Sequence, residues 1–147
     1  MKKLLLILAL ALSANAWAEF KIIDCFSYIV AGPNKGDLAR GANRITFDPE
    51  LPDAEREELK ENGECDPDPI FGACTKPVKV TVFPSYYRFV WAQHTRSGKT
   101  ISVDTLDLSR KDLTFTRSTD WTNMSSMNSK REGKCELVEI DTSDNIL

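Results

Sequence analysis

Short runs of alternating apolar and polar residues dominate the middle of the chain. Four such runs cover residues 78–83, 86–95, 99–108 and 112–118, and each is rich in β-branched and aromatic side chains. The breaks between them carry proline, glycine, serine and basic residues, which are typical of tight turns. The pattern predicts consecutive antiparallel strands joined by short connections, and this meander is the scaffold of the domain.

Shorter apolar runs on both sides extend the meander. Residues 20–30 and 44–47 predict two strands before it, and residues 133–140 predict the last strand of the chain. The tail at residues 141–147 is predicted to fray. The fold class that follows is mainly β, or α+β by strict count, built on an antiparallel meander sheet.

One segment predicts a short peripheral helix, at residues 52–61. Pro52 suits the first helical position, where its missing N–H costs nothing, and acidic residues fill the first turns near the positive end of the helix dipole. Asn62 and Gly63 then supply a stop. A carboxylate-rich active site on this helix is the alternative interpretation.

The third run of the meander changes phase in its middle. Ile101 and Val103 share one parity, whereas Leu106 and Leu108 share the other. Such a change predicts a bulge or bend near residues 104–105. Bending of this kind favours a sheet that curls toward a small barrel.

The N-terminus has the features of a secretory signal peptide, assigned to residues 1–18. Two lysines precede an uninterrupted apolar stretch at residues 4–12, and Ala16 and Ala18 place small residues before the predicted cleavage site. The stretch is shorter than the roughly 20 residues that span a bilayer, which disfavours the alternative of an anchor. We therefore expect a single β-rich domain at residues 19–147, without a membrane span and located in the periplasm or outside the cell.

The charge balance argues against nucleic acid as a partner. The chain has a formal net charge of −3, and loss of Lys2 and Lys3 with the signal peptide would leave −5. An acidic surface repels phosphate backbones and anionic lipids. The partner, an unknown protein or envelope component, is not identified by composition.

Four cysteines follow the predicted cleavage site, and an even number in an exported chain indicates disulfides. Three connectivities are possible, and spacing alone does not select one. We favour Cys65–Cys74, which closes a turn rich in proline, together with Cys25–Cys135, which ties the first strand to the last. A zinc site is the alternative, but the spacings match no zinc pattern.

A resemblance is carried by residues 106–116 and by Gly133 and Cys135. A strand that ends in a basic turn, an apolar–x–aromatic step in the next strand and a closing Gly-x-Cys strand resemble the C-terminal hairpin of many small exported bacterial β-proteins. The resemblance covers about the last third of the chain and indicates no specific family. It implies a β-hairpin and an envelope location, and no activity.

Candidate binding residues lie in a polar segment at residues 119–131, which we interpret as a long loop. It carries Trp121, Met124 and Met127, and large apolar groups on such a loop gain most when a partner buries them. The alternative is that Trp121 folds back to cap an open end of the sheet.

Aromatic residues of the second run of the meander have two interpretations. Tyr87, Phe89 and Trp91 share one parity and are expected in the core, because a sheet in a domain of this size must bury one face. The alternative is an aromatic platform for a sugar or a partner.

Catalytic motifs are not evident in the sequence. His94 is the only histidine, and no serine lies in a Gly-x-Ser-x-Gly elbow. Asp66 and Asp68 lack the further ligands of a calcium loop, so no metal or cofactor is predicted and a stiffened turn is favoured there.

These features lead to a non-enzymatic binding or accessory protein of the bacterial envelope, an inhibitor being one example. A small hydrolase that acts on envelope polymers through paired carboxylates is one alternative. A structural or assembly factor is another.

Overall fold

The computed structural model describes residues 20–36 and 41–138. The predicted signal peptide and the tail at residues 141–147 lie outside this part of the chain. The described residues form eight strands and one turn of 3₁₀-helix at Ser125–Met127. The strands are β1 (Lys21–Ala31), β2 (Ala42–Phe47), β3 (Asp53–Leu59), β4 (Thr75–Val82), β5 (Tyr86–His94), β6 (Thr100–Ser109), β7 (Thr114–Trp121) and β8 (Ser129–Leu137).

The strands form a closed antiparallel barrel in simple meander order. Each strand pairs with the next along the chain, and β1 pairs with β8. The prediction of a mainly β fold with a meander that curls into a barrel is confirmed. Closure of the described strands leaves no free sheet edge on which another chain could pair.

A disulfide fastens the seam at which the barrel closes. Cys25 of β1 faces Cys135 of β8 in the ladder, and the two sulfurs are bonded. The second bond joins Cys65 and Cys74 within the long β3–β4 connection. Both predicted pairings are confirmed, and two disulfides are consistent with an oxidising environment, periplasmic or extracellular.

The two ends of the barrel differ in their connections. One end, the turn end, carries the short β2–β3, β4–β5 and β6–β7 turns together with the first and last described residues. The other, the loop end, carries the β1–β2, β3–β4, β5–β6 and β7–β8 connections.

The apolar core fills the barrel interior toward the turn end. Phe47 lies at its centre and meets the rings of Tyr87 and Phe89 edge to face, with centroids 5.1 and 5.0 Å apart. Tyr87, Phe89 and Trp91 are all buried, as predicted for core residues. The cluster also contains Ile23, Cys25, Ile45, Ala54, Val78, Val80, Leu106, Leu108, Phe115 and Cys135.

The predicted helix at residues 52–61 is wrong, because residues 53–59 form strand β3. Its inward positions are Ala54, Arg56 and Glu58, while Asp53 and Glu55 point to solvent. Because Arg56 is polar but occupies an inward position, the sequence of β3 does not show the apolar–polar alternation of a strand. Pairing with β2 and β4 on both sides outweighs the local helical preference.

The predicted bulge near residues 104–105 is also wrong. Strand β6 keeps one parity throughout, with Ser102, Asp104, Leu106 and Leu108 all buried inside the barrel. Its ladder with β7 is continuous, and its shift against β5 falls between Gln93 and His94, near the loop end. The apparent change of phase arises because the inward residues Ser102 and Asp104 are polar, whereas Ile101 and Val103, at the other parity, are apolar.

The predicted long loop at residues 119–131 is shorter in the structure. Strand β7 extends through Trp121 and β8 begins at Ser129, so the connection covers residues 122–128 only. Strand β8 therefore begins four residues before the predicted last strand at residues 133–140, of which residues 139–140 lie outside the described part of the chain.

Candidate functional site

The barrel interior is polar and charged toward the loop end. The strands that supply apolar residues near the turn end supply polar ones here, at the same inward parity. These residues are Asn43, Arg56, Glu58, Gln93, Ser102, Asp104, Arg117, Thr119, Ser129 and Arg131. Buried polar side chains are costly unless they are paired, so their concentration at one end requires explanation.

Asp104 and Arg117 form the central pair of this region. Arg117 donates from Nε to Oδ1 of Asp104 at 2.9 Å, and its Nη2 lies 2.7 Å from the same oxygen as an ion pair. Thr119 donates its hydroxyl to the same oxygen at 2.6 Å, and Gln93 approaches Oδ2 at 3.4 Å. Asp104 is fully buried and Arg117 is 6% exposed, so the pair is shielded from solvent.

A second pair lies beside the first, across an indole ring. Arg56 donates from Nη1 to Glu58 at 2.5 Å and to Asn43 at 3.0 Å. The guanidinium carbons of Arg56 and Arg117 lie 4.5 and 4.8 Å from the ring centroid of Trp91. Trp91 therefore contacts two cations, an arrangement in which the ring quadrupole stabilises both.

The pKa shifts of the second pair follow from burial and charge. Burial lowers the pKa of Arg56, and the charge of Glu58 opposes that shift. Burial alone would raise the pKa of Glu58, but the charge and hydrogen bond of Arg56 outweigh it and lower that pKa. Glu58 is therefore an ionised partner for Arg56 at neutral pH.

Arg131 differs from the other two arginines because it has no carboxylate partner among the residues the structure describes. Its Nε is buried and donates no hydrogen bond to any of them. Burial lowers the pKa of Arg131, and the nearby positive charge of Arg117 lowers it further. The charges of Asp104 and Glu58, neither within ion-pair distance, oppose that shift of the pKa.

A cavity of about 170 Å³ adjoins Arg131 at the loop end. Polar and apolar groups share its walls, which are supplied by four strands and two connections. The lining residues are Ile29, Pro33, Asn34, Gln93, Arg117, Thr119, Trp121, Met127, Ser129 and Arg131.

Four buried side-chain atoms in the described part of the chain have no hydrogen-bond partner, and all four belong to this region. They are Nε of Arg56, Nε1 of Trp91, Oγ of Ser102 and Nε of Arg131. Ser102 lies in the ladders opposite Gln93 and Trp121, both of which line the cavity. Such groups are few in folded proteins, and a cluster of them calls for a functional explanation.

The predicted binding residues are divided between the cavity and the surface. Trp121 and Met127 line the cavity, and Trp121 is half-buried, with its backbone N–H bonded to Oδ1 of Asn128. Met124 is 52% exposed and does not line the cavity. The structure therefore brings two of the three predicted residues together.

Sequence reasoning missed the charged residues of the site, namely Arg56, Asp104, Arg117 and Arg131. One signal was available: each occupies a strand position with the same parity as buried apolar residues of its own strand. When the inward positions of a strand change from apolar to charged residues along its length, the pattern indicates a barrel with a polar end.

The other sequence candidates do not form a site. Oδ1 of Asp68 accepts the backbone N–H groups of Ile70 and Phe71, which makes it part of a turn, as favoured above. His94 is exposed, with Nδ1 3.2 Å from the hydroxyl of Thr100. Within residues 20–36 and 41–138, no group of three or more histidine, cysteine or acidic residues is placed to hold a metal.

A larger groove, of about 1030 Å³, lies on the outer surface of the barrel beside Phe26, Tyr86, Thr116 and Lys134. It contains none of the four unpartnered atoms. For this reason the smaller interior cavity is the stronger candidate site.

Comparisons with protein-family models, with curated proteins and with solved structures found no match to this chain. No helix in the described residues is both long and apolar enough to cross a membrane.

Proposed function

We propose that the protein is an exported, non-enzymatic binding protein of the bacterial envelope, which holds a small ligand in the loop-end cavity. The observation that carries this proposal is the convergence of four unpartnered buried polar atoms at one end of the barrel interior. Of the four residues, Arg131 lines the cavity, so a ligand there would pair with its Nε. Small-molecule sites characteristically combine apolar walls with a few convergent polar groups. Export is supported by the signal-like N-terminus and by the two disulfides.

A hydrolase with paired carboxylates has less support. The two interior carboxylates, Asp104 and Glu58, are each bonded to an arginine. A general acid needs a raised pKa, whereas that of Glu58 is lowered. Both carboxylates are better suited to holding arginines in place than to transferring protons.

The test is recovery of a bound compound. Mature protein would be incubated with the low-molecular-weight fraction of an envelope extract, separated from unbound material and analysed by native mass spectrometry. Ser129→Phe fills the cavity, and Lys130→Phe places the same side chain on the outer surface of the same strand. We expect an adduct on the wild type and on Lys130→Phe, and none on Ser129→Phe.

Two results would count against the proposal. An adduct that persists on folded Ser129→Phe would move the site away from the cavity. Conversion of the compound into a product of different mass would favour the hydrolase instead.

A further inference from the structure

The three interior arginines at the loop end are not balanced by carboxylates. Arg56 pairs with Glu58, and Arg117 pairs with Asp104. Arg131 is left as a third cation without an acidic partner among the described residues. An unpaired charge is costly in a partly desolvated site, and an anion is the group that removes this cost.

The carboxylate that contacts the cavity residues Arg117 and Thr119 is already occupied. Oδ1 of Asp104 accepts from both Arg117 and Thr119, and Oδ2 faces Gln93. A cationic ligand would therefore find no free acidic group among the described residues and would meet Arg131. A neutral ligand would leave Arg131 unpaired.

The cavity walls also limit the kind of anion. Asn34, Thr119 and Ser129 offer hydrogen bonds, while Ile29, Met127 and Trp121 offer apolar contact. Its volume of about 170 Å³ corresponds to on the order of six water molecules at their liquid volume. These walls suit a compact molecule that carries a charged head and a small apolar part.

We propose that the cavity binds a small organic oxyanion, with the guanidinium of Arg131 as its counter-ion and Trp121 and Met127 beside its apolar part. This inference rests on the proposed function. A guanidinium presents a planar fork of N–H donors that matches both carboxylate and phosphate oxygens. The expected ligand therefore carries an oxyanion head group, either a carboxylate or a phosphate.

Binding can be followed by intrinsic fluorescence. The chain has three tryptophans, and Trp17 lies in the predicted signal peptide. The other two, Trp91 and Trp121, are both in the site. A titration signal from mature protein therefore comes from the loop-end interior.

The probes are benzoate, phenyl phosphate and the neutral analogue benzyl alcohol, each titrated into wild-type protein, Arg131→Gln and Lys130→Gln. Lys130 is the matched control, because it loses the same charge from the adjacent, exposed position of β8. We expect at least one anion to bind the wild type and Lys130→Gln equally. Arg131→Gln should weaken that binding about tenfold or more, because this is the contribution that a charge-assisted hydrogen bond makes to affinity. The tighter of the two anions identifies the head group.

A further variant separates charge from geometry. Arg131→Lys keeps the positive charge but loses the fork, so we expect an affinity between those of the wild type and Arg131→Gln. Circular dichroism would verify that each variant is folded.

The inference is overturned if neither anion binds, or if anion affinity is unchanged in folded Arg131→Gln. Benzyl alcohol that binds as tightly as benzoate, regardless of Arg131, would also overturn it while leaving the proposed binding function intact. Failure of the binding function itself would be seen separately, as the lack of any cavity-dependent adduct from the envelope extract.

Discussion

Arg117 and Asp104 face each other inside the barrel, and two guanidinium nitrogens of Arg117, Nε and Nη2, lie 2.9 and 2.7 Å from the same carboxylate oxygen. Both residues are buried, so neither charge is solvated by bulk water. Asp104→Asn removes the charge that balances Arg117 and should destabilise the protein by about 3–5 kcal/mol, the cost of breaking a buried ion pair.

Urea unfolding would measure this loss. The matched comparison is the double variant Asp104→Leu with Arg117→Met, which removes both charges. Its loss in the free energy of unfolding should be smaller than the sum of the losses caused by Asp104→Leu and Arg117→Met made singly. A loss below about 1 kcal/mol for Asp104→Asn is what an exposed ion pair would give, and it would contradict the conclusion that the Asp104–Arg117 pair is buried.

The same interior charges explain where sequence reasoning succeeded and failed. The turn end is filled with apolar residues, and its strands were predicted from alternation alone. At the loop end, Pro52, the acidic residues and Asn62-Gly63 favour a helix over β3, because its inward positions include Arg56 and show no apolar alternation. In β6 the inward residues Ser102 and Asp104 are polar, while the apolar Ile101 and Val103 occupy the other parity. Both errors lie in the region that forms the candidate site. Local rules fail most often where function requires an unusual residue, so these failures were themselves a signal of the site.

The pairing of the first strand with the last explains why the disulfide prediction was correct. The pairing of Cys25 with Cys135 was predicted because it joins the first and last strands, which is also the contact that closes the barrel. The sequence could not predict that Arg131 has no carboxylate partner among the described residues, because this depends on which strands become neighbours.

The two disulfides should differ in their effect on stability. The bonded cysteines are 110 residues apart in Cys25–Cys135 and 9 apart in Cys65–Cys74. In the chain-entropy model, loops of these lengths correspond to about 4.7 and about 2.7 kcal/mol. We expect paired Cys→Ala replacement at the barrel seam to lower the free energy of unfolding by about 2 kcal/mol more than at the β3–β4 connection. Equal losses in urea unfolding would show that constraint of the unfolded chain does not dominate.

The stability should depend on pH through Glu58. Its pKa in the folded state is lowered below the ordinary value of 4.5. The unfolded chain therefore binds the proton more readily, and the stabilisation that Glu58 provides is present above its unfolded pKa and is lost as the pH falls through the folded pKa. We expect the decline in stability on acidification to be smaller in Glu58→Gln than in the wild type.

The measurement is the free energy of unfolding at a series of pH values from neutral to about 3. Glu55→Gln is the control, because Glu55 is exposed on the same strand. If Glu55→Gln and Glu58→Gln change the pH dependence equally, the contact with Arg56 is not its source.

Close packing at the barrel seam requires a glycine at position 133. A Cβ atom there would lie 1.9 Å from the carbonyl oxygen of Phe26 and 2.9 Å from Cε1 of Phe115. Gly133→Ala should force β1 and β8 apart and destabilise the protein by about 3 kcal/mol, the upper end of overpacking costs. Gly98→Ala is the control: its Cβ meets no atom within 4 Å, so only its φ of +84° opposes the change, at about 1–2 kcal/mol. Thermal unfolding in which Gly98→Ala is the more damaging change would contradict the close approach at the seam.

The last prediction separates Trp121 from Met124, since one lines the cavity and the other is exposed on the β7–β8 connection. Trp121→Ala removes a wall of the site, and loss of a large aromatic contact should weaken binding of the tighter of the two anions, benzoate or phenyl phosphate, about tenfold. Met124→Ala should leave that affinity unchanged, because its side chain is not part of the cavity. Isothermal titration calorimetry suits this comparison, as it does not depend on the fluorescence of the deleted indole. If Met124→Ala weakens binding and Trp121→Ala does not, the ligand contacts the outer surface of the connection. That result would restore the hypothesis that a partner binds an exposed loop, and would reject the barrel interior as the site.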